Sequence, residues 1–155
     1  MELITDRSLA DVARWKELHD KGWHAMTADE QAEWQSYMKG CYNISDMNRV
    51  ELAVQELSSR LAELGYLPPA LQTKTSWSNA DVPTKADFDR YFGNVDALKR
   101  VLPSFPSSPA TPTTADRFDY QKANDLEKIL LDIDAATTNL KKAWHFAGDI
   151  FAGEA

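Results

Sequence analysis

The sequence predicts an all-α protein, a compact bundle of about five helices with one long C-terminal helix, as a single domain over 1–155. Three observations carry that expectation. Between Met47 and Leu64 the apolar residues fall at Met47, Val50, Val54, Leu57, Leu61 and Leu64, the three-four spacing of a helix packed along one narrow seam. Helix-start pairs precede apolar runs upstream of it, at Ser8 with Asp11 and at Thr27 with Glu30, where hydroxyl and carboxylate can satisfy free amides. Near the end, Leu126, Ile129, Leu130, Ile133, Thr137, Leu140, Trp144, Ala147 and Phe151 trace one long helical stripe.

The first helix is expected from Ser8 through LADVARWKELHDK to Gly22, with Leu9, Val12, Trp15 and Leu18 as its apolar face. The connector Trp23–Met26 leads to a second helix, running from Thr27 to about Lys39, with Trp34, Tyr37 and Met38 inward and Gly40 ending it. Ser45 is the expected N-cap of the seam helix, with Asp46 in its first turn facing the positive end of the dipole. Glu56 and Arg60 are spaced for an i,i+4 ion pair. Gly65 can take the left-handed conformation that ends a helix, and Pro68-Pro69 prevent continuation.

Residues 66–83 lack helical periodicity, and LQTKTSW is compatible with a short extended piece. Pro83-Thr84 with Asp87 opens the next helix, whose face is Phe88, Tyr91, Phe92, Val95, Leu98 and Leu102. Gly93-Asn94 interrupts it, as a kink or as a break into two short helices. The stretch 103–115, PSFPSSPATPTTA, is a Pro/Ser/Thr-rich internal loop that leads to the last helix. That helix is expected to begin near Asp116 and to reach Phe151, with an apolar sector that widens beyond Leu140. A chain end so rich in aromatics usually docks on something.

Composition narrows the functional classes. A formal net charge of −7 and a pI near 4.9 disfavour phosphate backbones and anionic lipid, so neither nucleic acid nor membrane is an expected partner. Cys41 is the one cysteine, which excludes an internal disulfide and a multi-thiolate zinc site. The N-terminal residues have no apolar signal-like run, and no stretch of eighteen apolar residues occurs, so synthesis in the cytosol is expected.

No motif marks catalysis, and no cofactor or metal is expected. His19 and His24 flank Gly22 and share no helical face, and His145 beside Trp144 reads as the edge of a packed face. Asp125, Glu127, Asp132 and Asp134 alternate with Lys128 and read as a solvated charged face, not as an acid/base pair converging on a pocket. Cys41 reads as a small buried hydrophobe. Asn43-Ile44-Ser45 matches a glycosylation sequon, which matters only in a secreted chain. Trp77, in the polar loop TSWSN, either anchors that loop on the core or contacts a partner chain or a sugar.

Several phrases together resemble a known family: KGCYNISDMNRV, the LGY after the seam helix, KTSWSNADVPT, RYFGNVDALK, DYQKANDLEKIL and the end WHFAGDIFAGE. They are similar to a small helical segment encoded in tail and baseplate regions of bacteriophages and prophages of Gram-positive gut bacteria, found free or appended to larger tail proteins. The similarity runs from about Ile4 to Glu154. Its recurring positions are Tyr42, Asn43, Asp46, Asn48, Arg49, Gly65, Tyr66, Trp77, Pro83, Tyr91, Gly93, Asn94, Tyr120, Asn124 and Trp144, all of which read as caps, turns and anchors. The chain departs from the pattern in its longer PSFPSSPATPTTA loop and in Cys41. The resemblance implies a virion structural protein and supplies no catalytic residues.

The expected function is therefore a non-enzymatic structural or assembly module of a phage tail or baseplate. It would be made in the host bacterial cytoplasm, become virion-associated, and contact other phage structural proteins or its own copies. The expected interaction residues are Trp144, Phe146, Ile150 and Phe151, with Trp77. The alternative is a tail module that binds a cell-surface glycan or wall polymer, with Trp77 and Trp23 as stacking platforms.

Overall fold

Each of the first four helices begins on a reciprocal side-chain cap, and the caps fix where the helices start. A computed structural model describes residues 2–102, 107–116 and 118–148, with side chains as far as 143. Helix α1 spans Leu9–Lys21 on the Ser8/Asp11 box, and α2 spans Ala28–Gln35 on Thr27/Glu30. Helix α3 spans Ile44–Glu63 on Asn43/Asp46, and α4 spans Lys85–Lys99 on Thr84/Asp87. Helix α5 runs Tyr120–Gly148, and a short 3-10 turn, Trp23–Ala25, joins α1 to α2. No strand occurs among the described residues, so the fold is an all-α bundle of five helices, as expected.

Several boundaries differ from the sequence reading, each for a local reason. Asn43, not Ser45, caps α3, because its carboxamide accepts the Ser45 and Asp46 amides while the Asp46 carboxylate accepts the Asn43 N–H at 2.9 Å. Helix α2 stops at Gln35, short of Lys39, because the Ser36 hydroxyl donates back to the Glu33 carbonyl and Tyr37 turns left-handed at φ 58°. Helix α5 begins at Tyr120, not Asp116, where the Asp119 carboxylate accepts the Lys122 N–H at 2.9 Å. Helix α4 passes unbroken through Gly93-Asn94, because Asn94 turns inward and donates to the Gln72 carbonyl at 2.7 Å. Gly65 does end α3: at φ 80° it lets the Tyr66 N–H reach the Leu61 carbonyl and its own N–H the Ala62 carbonyl, each at 3.0 Å. That bond pair closes a helix end.

Helices α3, α4 and α5 pack on one another and hold the core. All six seam residues are buried, and the five within α3 share one core with Tyr91, Phe92, Val95 and Leu98 of α4 and Leu126, Ile129, Leu130 and Ile133 of α5. Each fully buried Leu or Ile contributes roughly 1.5–3 kcal/mol, so this three-helix body dominates stability. Helices α1 and α2 form a hairpin beside it, packed mainly on each other. Of the apolar face expected on α1 only Leu18 is buried, and Leu9 is 69% exposed. Gly40 lets the chain pass this hairpin closely: a Cβ there would stand 2.1 Å from the Asp11 carbonyl oxygen.

Candidate functional site

The sequence reading put Glu127 on a solvated face, and the structure buries it where the N-terminal segment meets α3 and α5. Glu127 is 0% exposed. Its Oε1 accepts Arg7 Nη2 at 2.6 Å and Arg49 Nη2 at 2.8 Å, and its Oε2 accepts Arg49 Nε at 3.0 Å and the Ile4 N–H at 2.6 Å. Asp46 completes the cluster, pairing with Arg7 at 2.9 Å and with Arg49. Two guanidinium groups thus face two carboxylates, a balance that compensates burial. Burial alone would lower the Arg49 pKa, but its hydrogen bonds to Glu127 and Asp46 outweigh that and hold it above its ordinary value.

This cluster ties the N-terminal strap to α3 and α5. Asn124 extends it: its Oδ1 accepts the Arg7 N–H at 3.1 Å and its Nδ2 donates to the Arg7 carbonyl at 2.9 Å. Beside it the Tyr42 and Tyr91 hydroxyls lie 2.5 Å apart, and burial pushes both phenols well above their ordinary pKa. A second buried charge, Glu51, pairs with Arg90 at 2.6 Å and ties α3 to α4. Sequence reasoning missed the burial of Glu51 and Glu127. A signal was present: Glu51 stands four after Met47 and three before Val54, and Glu127 four after Ala123 and three before Leu130. A lone charge at a stripe position marks a buried ion pair or a site.

Trp77 lies in the core, 5% exposed, with Lys74 Nζ 3.9 Å above its ring. Its loop is sewn to α3 by Asn48, whose Oδ1 accepts the Trp77 N–H at 2.7 Å and whose Nδ2 donates to the Trp77 carbonyl at 2.9 Å. Trp77 is therefore the loop anchor, and its ring is not free for stacking on a sugar. Of the resemblance-carrying residues, Tyr42, Asn43, Asp46, Asn48, Arg49, Gly65, Trp77, Tyr91, Asn94 and Asn124 all make these capping, turn and anchoring contacts.

The other candidates are placed as follows. His19 stacks on Trp15 at 5.0 Å, and Trp15 on Trp34 at 6.0 Å. No group of metal-ligating side chains gathers among the described residues. Cys41 is half-buried, and burial, with Asp46 nearby, pushes its thiol up. The Asn43 side chain is committed to capping and to the Cys41 carbonyl. Asp132 and Asp134 pair with Lys128 and Arg60, and Arg60 also holds Glu56, as expected.

Two surfaces bear on the expected contacts. A groove of about 620 Å³ runs beside the N-terminal half of α3, from Ile44 to Glu56, walled by Tyr37 and Trp77. Within it Leu52 is 52% and Tyr37 53% exposed. The other surface is the end of α5. Thr137 is the last buried side chain described on it, and from Thr138 to Ala143 all are exposed except half-buried Leu140. The helix backbone continues to Gly148, eleven residues or ~16 Å past Thr137. Trp144 and Phe146 lie on that stretch, though their side chains are outside those described, and Ile150 and Phe151 lie outside the described residues. No helix among the described residues is long and apolar enough to cross a membrane.

Against known proteins the chain stands without a match: no family model, no curated protein and no solved structure is similar to it.

Proposed function

We propose that this chain is a non-enzymatic structural or assembly module of a phage or prophage tail or baseplate, acting through contacts with other virion proteins. The observation that carries the reading is the end of α5, where the side chains from Thr138 to Ala143 are exposed except half-buried Leu140 and the sequence beyond them turns aromatic (Trp144, Phe146, Phe151). A sequence that turns apolar just beyond an exposed stretch of helix favours a partner that buries it. The buried carboxylates support the same reading, because Asp46, Glu51 and Glu127 are neutralised by arginines and serve packing. The sequence phrases shared with tail-region segments supply the setting.

The glycan-binding alternative has less support. Trp77, its main platform, is buried beneath Lys74, which leaves Trp23, 40% exposed, as the remaining candidate. The test is to induce the encoding element and analyse purified particles by mass spectrometry. The chain is expected in particles, and a form truncated after Ala143 is expected to be lost from them. Particles lacking the full-length chain would overturn the proposal.

A further inference from the structure

We infer that residues 8–40 form a hinged arm, which opens from the three-helix body as one cooperative unit while that body stays folded. The inference is independent of the proposed tail role, because it concerns only how the parts of the chain are held together.

The arm has two feet, Arg7 and Tyr42. Arg7 is fastened to Asp46 of α3 and Glu127 of α5. Tyr42 packs edge-on against Phe118, with its hydroxyl 2.5 Å from that of Tyr91. The feet meet, the Arg7 guanidinium lying 5.5 Å from the centre of the Tyr42 ring. Helices α1 and α2 therefore leave the body and return to it at one place.

Away from that place only surface contact joins arm to body. Leu3 and Ile44, on either side of the arm, pack on the core, whereas no apolar residue of 9–38 belongs to the core cluster. Among the described residues, no hydrogen bond, ion pair or ring contact runs from residues 8–40 to any residue after Cys41. The arm's charges are paired within it, Arg14 with Glu33 at 2.7 Å and Lys21 with Glu30 at 2.6 Å. Its side-chain tie to the N-terminal strap, Lys39 with Asp6, is an exposed pair screened by solvent. The seam is also loosely filled. A cleft of about 280 Å³ lies between Trp15 and Trp34 on the arm and Ile44 and Asn79 on the body. Another of about 210 Å³ separates Val12 and Gly40 from Phe118 and Ala123.

These features set the order of opening. A segment with few buried apolar contacts opens below the free energy of global unfolding, and the apolar residues buried in the arm are Leu18 and Met26 alone among those described. A two-helix hairpin of this length does not stay folded unsupported, so detachment and melting of α1 and α2 coincide. Opening bares both sides of the seam, Trp15 and Trp34 on the arm and Ile44 and Phe118 on the body, without disturbing the core.

Native-state hydrogen exchange of the full chain, read peptide by peptide by mass spectrometry, tests this. Amides of α1 and α2 are expected to exchange through one shared opening, with protection at least ~100-fold below that of α3 and α5. Trp15, Trp23 and Trp34 are three of the chain's five tryptophans, so tryptophan fluorescence should change at lower urea than ellipticity at 222 nm. Leu18→Ala should speed exchange in α1 and α2 together, by about tenfold or more, and leave α3 and α5 unchanged. Ile129→Val, in the core, should do the reverse. Uniform protection across all five helices, or coincident urea transitions, would overturn the arm. So would a Leu18→Ala protein whose α3 and α5 amides lose protection in step with α1, or one in which α1 loses protection and α2 does not.

Discussion

Replacing Arg7 with Met should be among the most damaging single changes in this chain. Arg7 is 4% exposed and bonds to Asp46, Glu127, Asn124 and the Ile4 carbonyl. Methionine fills similar volume but removes the charge, leaving Asp46 and Glu127 to share Arg49 with one buried negative charge uncompensated. Breaking a buried pair from one side costs about 3–5 kcal/mol, a large part of the ~5–15 kcal/mol that holds a typical domain folded. At ~2–4 °C per kcal/mol for a chain of this size, the melting temperature should fall by roughly 10 °C. Because the cluster is buried, salt should change this loss little.

A double-mutant cycle separates charge imbalance from lost packing. Glu127→Leu alone strands two arginines against Asp46, whereas Arg7→Met with Glu127→Leu leaves the balanced pair Arg49–Asp46. The double variant should be more stable than the summed single losses by at least ~1 kcal/mol, as expected for residues in one network. Urea unfolding followed at 222 nm gives all four corners. A cost below ~1 kcal/mol for Arg7→Met, or strict additivity, would refute the account of a charge-balanced core.

Two glycines should respond oppositely to alanine. Gly40→Ala drives a Cβ onto the Asp11 backbone and should cost about 1–3 kcal/mol, whereas Gly93→Ala meets nothing within 4 Å inside α4 and should gain about 0.5–1 kcal/mol; urea midpoints read both. Trp77→Ala should cost ~3–5 kcal/mol as a large core deletion, and Asn48→Ala should release the same loop, seen as faster proteolysis between Leu67 and Val82. For pH, the Glu30 carboxyl is held at about 2 by Lys21 and by the Thr27 amide, and Asp11 and Asp87 are lowered by their capping hydroxyls. These folded-state pKa values lie below the unfolded ones, so the stabilisation is present above about pH 4.5 and lost as pH falls toward 2. Glu30→Gln should accordingly melt below wild type at pH 6 and level with it at pH 2, and an equal gap at both would count against the cap.

Sequence legibility here follows from the range of each interaction. The seam of α3 and the Ser8, Thr27 and Thr84 caps depend on residues three or four apart, so spacing alone reveals them. The Gly65 terminus is equally local. What stayed hidden depends on partners far along the chain: Glu127 reads as one more surface carboxylate until Arg7 and Arg49 arrive from 120 and 78 residues away. Asn94 looks like a helix interruption until the Gln72 carbonyl gives its side chain an acceptor. Trp77 posed a choice between anchor and contact that only the Asn48 bonds and the Lys74 cap decide. Capping itself was misplaced at Ser45 because both Asn43 and Ser45 are good caps, and the Asp46 carboxylate selects the residue three before it.

These same long-range ties shape the surface. The groove has one regular wall, α3, and two irregular ones, the Tyr37 connector and the Trp77 loop. Loops usually bring mobility to a binding surface, yet here the Trp77 loop is held by side chains reaching from α3 and α4. Asn48 clamps Trp77 from both sides, Arg90 and Asn94 both donate to the Gln72 carbonyl, and Lys74 pairs with Asp81 across the loop at 2.5 Å. On the other wall, Tyr37 sits in a left-handed conformation that costs a non-glycine residue roughly 1–2 kcal/mol, in the connector between the end of α2 and Gly40. A groove built this way is already formed on the α3 and Trp77 sides, so a molecule entering it would not have to order those walls. Altering Asn48, which lines the groove and clamps the Trp77 loop, should therefore change the shape of the groove as well as the stability of that loop.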